Sequence, residues 1–162
     1  MERVSKINYY LDIAQTVSER STCLRKKYGA IIVKNDIIIA TGYNGAPRGR
    51  KNCCDFGFCM REKLNIPRGE RYEMCRSVHA EANAIIAAPR DQMLDAALYM
   101  ACVDPKTRGL VPDTNSCAMC KRLIINAGIS TVTVRNTETE YSAVNTSEWI
   151  LNDDSISGRM GY

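Results

Sequence analysis

The chain is most constrained by a regular alternation of helical and strand patterns in its second half. Two helices and two apolar strands are predicted there, at residues 78–88, 97–103, 116–127 and 129–135. Pro89 stops the first helix, and Gly128 follows the second at a position where helices commonly end. Strands that alternate with helices pack as a sheet covered by helices, so the pattern predicts an α/β domain around one mixed sheet.

A helix and two further strands are predicted in the first half. Apolar residues recur at helical spacing over roughly the first twenty residues. The runs 29–33 and 37–41 flank a turn at 34–36, which is typical of a hairpin. With 162 residues and 45% hydrophobic content, the chain has the size of a single domain over residues 1–162.

Two segments fall outside this pattern. Residues 48–76, called the insertion below, hold eight basic residues, four acidic residues and four of the eight cysteines, and their periodicity is weak. We expect a long functional loop or a small inserted substructure there. A short helix is predicted at 147–151, followed by a polar tail that we expect to be flexible after about residue 152.

The eight cysteines favour metal or catalytic chemistry over disulfides. The first residues lead into no apolar run typical of a secretory signal, and no apolar run is long enough to cross a membrane. We therefore expect a cytoplasmic protein, in which thiols stay reduced. The net charge of +4 is mild and does not decide between classes of partner.

The strongest chemical signal joins His79 and Glu81, at the start of one predicted helix, with Cys117 and Cys120 at the start of the next. The two thiols share a helix face, and Ser116 is a suitable N-cap before them. The positive end of a helix dipole favours thiolates. Where the two helix starts meet, His79, Cys117 and Cys120 would form a Cys₂His set that leaves the fourth zinc position open, as catalytic zinc sites do.

Glu81 is the candidate for proton transfer. It lies off the ligand face, where its carboxylate can take a proton from water activated by zinc and pass it to a departing amine. A Cys-x-x-Cys pair alone is also typical of a structural zinc site or a redox pair. Here the only histidine of the chain stands in His-x-Glu, and His-x-Glu followed by Cys-x-x-Cys is the known pattern of zinc-dependent base deaminases.

On these motifs the chain resembles the cytidine-deaminase-like superfamily, and within it the deoxycytidylate (dCMP) deaminases. A Gly-Tyr-Asn-Gly sequence that includes Asn44 separates this branch from tRNA adenosine deaminases and from free cytidine deaminases. The resemblance spans roughly residues 21–135, which is most of the chain. It is carried by the blocks 28–33, 41–49, 75–85 and 117–129.

The resemblance implies a three-layer α/β/α sandwich around a five-stranded mixed sheet. It implies hydrolysis of dCMP to dUMP and ammonia, in which zinc-bound water attacks C4 of cytosine. By motif position, Asn44 would bond the sugar hydroxyl and the Ala80 backbone would help to orient the base. A proline usually precedes the first ligand cysteine in the family. Ser116 stands there in this chain, and we expect the site to survive because both residues start helices.

The resemblance also implies partners and effectors. The substrate would be a small nucleotide, and the protein would be a homo-oligomer, with a hexamer favoured. In many members of the family dCTP with Mg²⁺ activates and dTTP inhibits.

Two other groups of residues suggest ligand sites. The phosphate of a mononucleotide needs cations, for which Arg25 and Arg48 are the candidates, and a solvated basic surface is the alternative. A second, structural zinc site would use the four cysteines of the insertion, with buried reduced thiols as the alternative. These cysteines are Cys53, Cys54, Cys59 and Cys75, of which the adjacent pair is awkward for one ion.

Two other functions compete with a nucleotide deaminase. The first is deamination of another nucleotide or of bases in single-stranded nucleic acid, and the second is a non-enzymatic zinc protein that binds a partner. A polynucleotide needs a basic channel with interleaved aromatic residues, but aromatics make up only 7% of the chain and are scattered, so no stable nucleic-acid partner is expected. Glu81 argues against the non-enzymatic protein, because a structural site has no use for a carboxylate beside the metal.

Overall fold

A computed structural model of the chain describes residues 1–158 and contains one five-stranded sheet. The strand order is β2-β1-β3-β4-β5, with β3 and β4 parallel and the other neighbours antiparallel. The sheet is therefore mixed, as the sequence predicts. Its strands are β1 (Lys27–Lys34), β2 (Ile37–Tyr43), β3 (Ala97–Val103), β4 (Thr131–Arg135) and β5 (Tyr141–Asn145).

Helices cover both faces of this sheet. They are α1 (Lys6–Ser18), α2 (Cys53–Phe56), α3 (Met60–Lys63), α4 (Ala80–Ala87), α5 (Arg90–Met93), α6 (Ala118–Ala127) and α7 (Thr146–Leu151). On one face, Ala14 of α1 packs in a cluster with Ile31 and Ala101. On the other, Ala84 of α4 and Ile124 of α6 join a larger cluster around the sheet. The predicted three-layer α/β/α sandwich is confirmed.

The predicted elements agree with the structure except at their ends and at two missed elements. The hairpin turns at Asn35 and Asp36, whose φ angles are 48° and 64°, as a two-residue hairpin loop requires. The resemblance implied five strands, but periodicity located only four, because the edge strand β5 is largely exposed and lacks an apolar face. Helix α5, a single turn after Pro89, was also missed.

The insertion contains only short pieces of helix. Helices α2 and α3 have four residues each, and a 3₁₀ helix follows at Tyr72–Met74. The tail expected to be flexible after about residue 152 is exposed up to residue 158, and its remaining residues lie outside the described part. Among the described residues, no helix has the length and apolarity needed to cross a membrane.

Two glycines allow the helices to approach the sheet closely. A Cβ atom on Gly29 would lie 2.0 Å from the carbonyl oxygen of Ala14 in α1. A Cβ atom on Gly42 would lie 2.3 Å from the carbonyl oxygen of Ala80, at the start of α4. Only a residue without a side chain fits where two backbones come this close.

We predict that Gly42→Ala displaces the start of α4 and destabilises the protein by about 1–3 kcal/mol, since overpacking a close contact has this typical effect. The measurement is the free energy of unfolding in urea. Gly109→Ala is the matched control, because its Cβ would meet only the Thr107 hydroxyl at 3.4 Å. Equal stability of the Gly42→Ala variant and the wild type would contradict the close packing of α4 on β2.

Candidate active site

Three side chains predicted as metal ligands lie together at the starts of α4 and α6. The Nδ1 atom of His79 lies 3.4 Å from the sulfur of Cys117 and 3.4 Å from the sulfur of Cys120. All three donor atoms lie within 4.8 Å of one another, and both cysteines are buried. Two sulfurs and one imidazole nitrogen form a donor set that suits zinc.

The starts of two helices bring these donors together. His79 is the N-cap of α4, and Cys117 is the N-cap of α6, with Cys120 in its first turn. The predicted N-cap, Ser116, is therefore one residue too early, because Cys117 already has the extended backbone of a cap. The positive ends of both helix dipoles face the cluster and favour negative charge on the sulfurs.

The thiols and the imidazole shift one another's pKa values. A hydrogen bond from the Cys120 thiol lowers the pKa of Cys117 to about 4, against the opposing effect of burial. The same bond raises the pKa of Cys120. Burial acts to lower the pKa of His79, but its contacts with Cys117 and Cys75 outweigh burial and raise that pKa to about 10. A divalent cation bound here would displace the protons of the imidazole and the thiols, because metal ligands bind in their deprotonated forms.

Glu81 lies beside this cluster, in the first turn of α4, and is 4% exposed. Burial raises the pKa of its carboxyl, while the nearby His79 ring opposes that shift. The buried Ser116 hydroxyl also acts to lower this pKa, although it forms no well-aligned hydrogen bond. Glu81 is a carboxyl that can hold or release a proton at the cluster, as proton transfer requires.

A cavity of about 520 Å³ opens onto the cluster. His79, Ala80, Glu81, Cys117 and Asn44 line it, so the structure brings these predicted site residues to one space. Clefts of this size hold small molecules.

Asn44 is buried and held in a fixed orientation. Its Oδ1 accepts hydrogen bonds from the Ser21 hydroxyl and from the Tyr28 backbone N–H, and its Nδ2 donates to the Lys26 carbonyl at 2.9 Å. A side-chain amide carries two N–H donors, and this bond to Lys26 uses one of them. A two-way backbone bridge between Gly45 and Val78 ties this loop to the segment that carries His79.

The two predicted phosphate contacts differ in their position. Arg25 lines the cavity, where its Nε pairs with a carboxylate oxygen of Glu62 at 3.0 Å. Arg48 is exposed and is not among the residues that line the cavity. Other basic residues also line the cavity, although sequence analysis did not single them out for this site. They are Lys26, Arg61, Arg68 and Lys106.

The insertion also supplies neighbours of the metal cluster that sequence analysis missed. The Tyr72 ring meets the His79 ring edge-on, with 5.4 Å between centroids and 84° between planes. Cys75 lies close enough to His79 to raise the pKa of the imidazole. No motif identifies these contacts, because they depend on how the weakly periodic insertion folds back over α4.

Comparison with known proteins supplies the deciding observation. The family model described as the cytidine and deoxycytidylate deaminase zinc-binding region matches residues 4–136, which include all three candidate ligands and Glu81. The chain belongs to this family. The zinc-binding deaminase family thus accounts for the His79, Cys117 and Cys120 donor set.

Individual members of the family are similar over most of this chain. Deoxycytidylate deaminase of Schizosaccharomyces pombe is 33% identical over 130 residues, which are 80% of this chain but 37% of that protein. Deoxycytidylate deaminase of Mycobacterium phage D29 is 36% identical over 137 residues, which are 82% of this chain and 95% of that protein. This chain therefore spans little more than a third of the first relative and nearly all of the second.

A solved deaminase structure has the same architecture. The dCMP deaminase of cyanophage S-TIM5, crystallised in complex with dCMP and dUMP, superposes with a TM-score of 0.55 and 26% identity. The superposition covers 85% of each chain.

Loss of a hydrogen bond that supports a metal ligand typically weakens metal binding by roughly 10–100-fold. We predict that His79→Asn and Cys117→Ser each weaken zinc binding by more than this, because each variant removes a ligand itself. Competition against a chelating dye measures the affinity. Cys102→Ala is the control, because Cys102 is also buried but lies outside the donor set. Unchanged zinc affinity in both ligand variants would refute this assignment.

Proposed function

We propose that this protein hydrolyses dCMP to dUMP and ammonia, using zinc held by His79, Cys117 and Cys120. The observation that carries the proposal is the position of Glu81 beside a three-donor cluster at a cavity of about 520 Å³. A structural zinc site has four protein ligands, whereas a catalytic site has three and an open position. The deoxycytidylate deaminases among its relatives support the choice of substrate.

Zinc bound at these three residues would supply a Lewis acid that lowers the pKa of water to about 7. The carboxylate of Glu81 accepts a proton from the attacking water and returns one to the amine that leaves C4. Burial supports the first step, because it raises the pKa of this carboxyl and so makes the carboxylate a stronger base.

The other cavity residues recognise the nucleotide. The remaining N–H of Asn44 donates to a sugar hydroxyl, and its orientation is set by the bonds from Ser21 and Tyr28. The backbone of Ala80, the first residue of α4, orients the base. Arg25 contacts the phosphate. Discrimination by such polar groups is strong, because a wrong substrate leaves them unpaired.

The resemblance extends the proposal to regulation and assembly. It includes activation by dCTP with Mg²⁺, inhibition by dTTP and assembly into a homo-hexamer, and only the resemblance supports these three parts. A cytoplasmic location agrees with the eight cysteines, all of which are free thiols.

We predict that Glu81→Gln lowers kcat on dCMP by about 100-fold or more, since loss of a general acid–base typically has this effect. Zinc content should not change, because Glu81 is not in the donor set. Ammonia release and metal analysis test the two halves of the prediction. Glu148→Gln, on the exposed face of α7, is the control. Full activity of Glu81→Gln would refute its catalytic role.

We predict that Arg25→Ala raises the KM for dCMP by about tenfold or more, the cost of a lost charge-assisted hydrogen bond, and leaves the KM for deoxycytidine unchanged. Arg48→Ala serves as the matched control, because Arg48 is exposed outside the cavity. Steady-state kinetics on both substrates separate phosphate recognition from general damage. A KM for dCMP that stays at the wild-type value in Arg25→Ala would remove Arg25 from the phosphate contact.

A further inference from the structure

A buried arginine of the insertion has no negatively charged partner. Arg61, in α3, is 5% exposed. No carboxylate in the described part of the chain forms an ion pair with it. A buried charge is costly unless an opposite charge accompanies it, so an anionic group belongs near this guanidinium.

The hydrogen bonds of Arg61 use only part of its guanidinium. Nη2 donates to the carbonyls of Pro67 and Glu70 at 2.8 and 2.7 Å. Nε is buried without a hydrogen-bond partner, and Nη1 donates to none of the described residues. A guanidinium carries N–H donors on all three nitrogens, so Arg61 keeps donors with which it can bind an oxyanion.

Packing fixes the position of this guanidinium next to the metal cluster. Its carbon atom lies 4.4 Å from the centre of the Tyr72 ring, which is a cation–π contact. The Tyr72 ring in turn meets the His79 ring edge-on, with 5.4 Å between the two centres. These two contacts keep Arg61 within the length of one mononucleotide from the metal cluster.

The cavity itself has an excess of positive charge. Five lysine and arginine residues line it, including Arg61, against three aspartate and glutamate residues. Glu62 pairs with Arg25 at 3.0 Å, and Asp104 accepts hydrogen bonds from two backbone N–H groups of its own turn. The third carboxyl, Glu81, lies beside the metal cluster. A cavity with this charge favours an anionic ligand.

Arg25 and Arg61 differ in how strongly they can attract an anion. The Arg25 side chain is 38% exposed and already has Glu62 as its partner, so solvent and this carboxylate both weaken its attraction for a ligand. Arg61 is buried and has no carboxylate partner, so an anion beside it is screened much less. Arg61 is therefore the stronger candidate for a contact that decides which ligands bind.

We propose that Arg61 binds the phosphate of the substrate and selects nucleotides over nucleosides, an inference that rests on the deaminase function proposed above. A phosphate monoester carries nearly two negative charges at neutral pH, and its oxygens accept hydrogen bonds from the donors that Arg61 leaves unused. A nucleoside leaves the same buried charge unpaired. Discrimination is strong where a wrong ligand leaves a polar group of the site without its partner.

This assignment gives the insertion a function in specificity. Arg61 lies outside the four sequence blocks that carry the family resemblance. The residues that hold its guanidinium also belong to the insertion, and they are Pro67, Glu70 and Tyr72. Selection for a phosphate thus depends on a segment that lines the cavity and not on the motifs of the metal site.

Kinetics on dCMP and deoxycytidine test the proposal. Arg61→Gln should lower kcat/KM for dCMP by about 10–100-fold, the typical effect of losing a charge-assisted hydrogen bond, and should not lower kcat/KM for deoxycytidine. Arg61→Lys keeps the positive charge and should retain more of the preference for dCMP. Lys63→Gln is the matched control, because Lys63 is an exposed cation of the same helix that does not line the cavity.

The two substrates also separate this proposal from the proposed function. An equal loss on dCMP and deoxycytidine in Arg61→Gln, or no loss on dCMP, would overturn the role of Arg61, while turnover of dCMP by the wild type would still support the deaminase. A wild type that does not turn over dCMP would refute the proposed function instead.

A crystal structure of the wild-type protein with dUMP provides a measurement that needs no variant to fold. It is required because every Arg61 variant also changes the donor that the carbonyls of Pro67 and Glu70 share. The phosphate should lie within hydrogen-bond distance of the Arg61 guanidinium. A phosphate bound only by other cations, such as Arg25, would contradict the proposal.

Discussion

The meeting of two helix N-termini is the constraint on which the rest of the site depends. α4 and α6 lie on the same face of the sheet, and their first residues place His79, Cys117 and Cys120 within reach of one ion. The parallel pair β3 and β4 contributes to this arrangement, because a parallel connection must return across the sheet and α6 forms that return. Gly42 completes it by letting α4 lie directly on β2.

The same arrangement explains the electrostatics of the site. Two helix dipoles point their positive ends at the cluster, and burial there penalises any charge that lacks a partner. The hydrogen bond from Cys120 lowers the pKa of Cys117 and favours its thiolate, whereas burial raises the pKa of Glu81 and favours its neutral carboxyl. The site can therefore contain both a deprotonated thiol, which is a strong metal ligand, and a carboxyl suited to proton transfer. The two groups differ because different residues surround them.

The insertion is the part of the molecule that depends least on packing against the sheet. It lies over the cavity, supplies Tyr72 and Cys75 to the surroundings of His79, and carries the buried guanidinium of Arg61. A segment of this kind can vary without disturbing the sandwich, because neither apolar cluster includes it. It is therefore a natural place for specificity to differ between members of one family.

Periodicity and motifs determined the α/β class, four of the five strands and the four candidate residues for metal binding and proton transfer, since each depends on local spacing. The sequence by itself also indicated helix starts at His79 and Cys117 to within about two residues. Tertiary structure decided what spacing does not encode. It placed Arg25 but not Arg48 along the cavity, and it positioned the exposed edge strand β5. These outcomes depend on contacts between residues far apart in the chain, and such contacts leave no periodic signal in either segment.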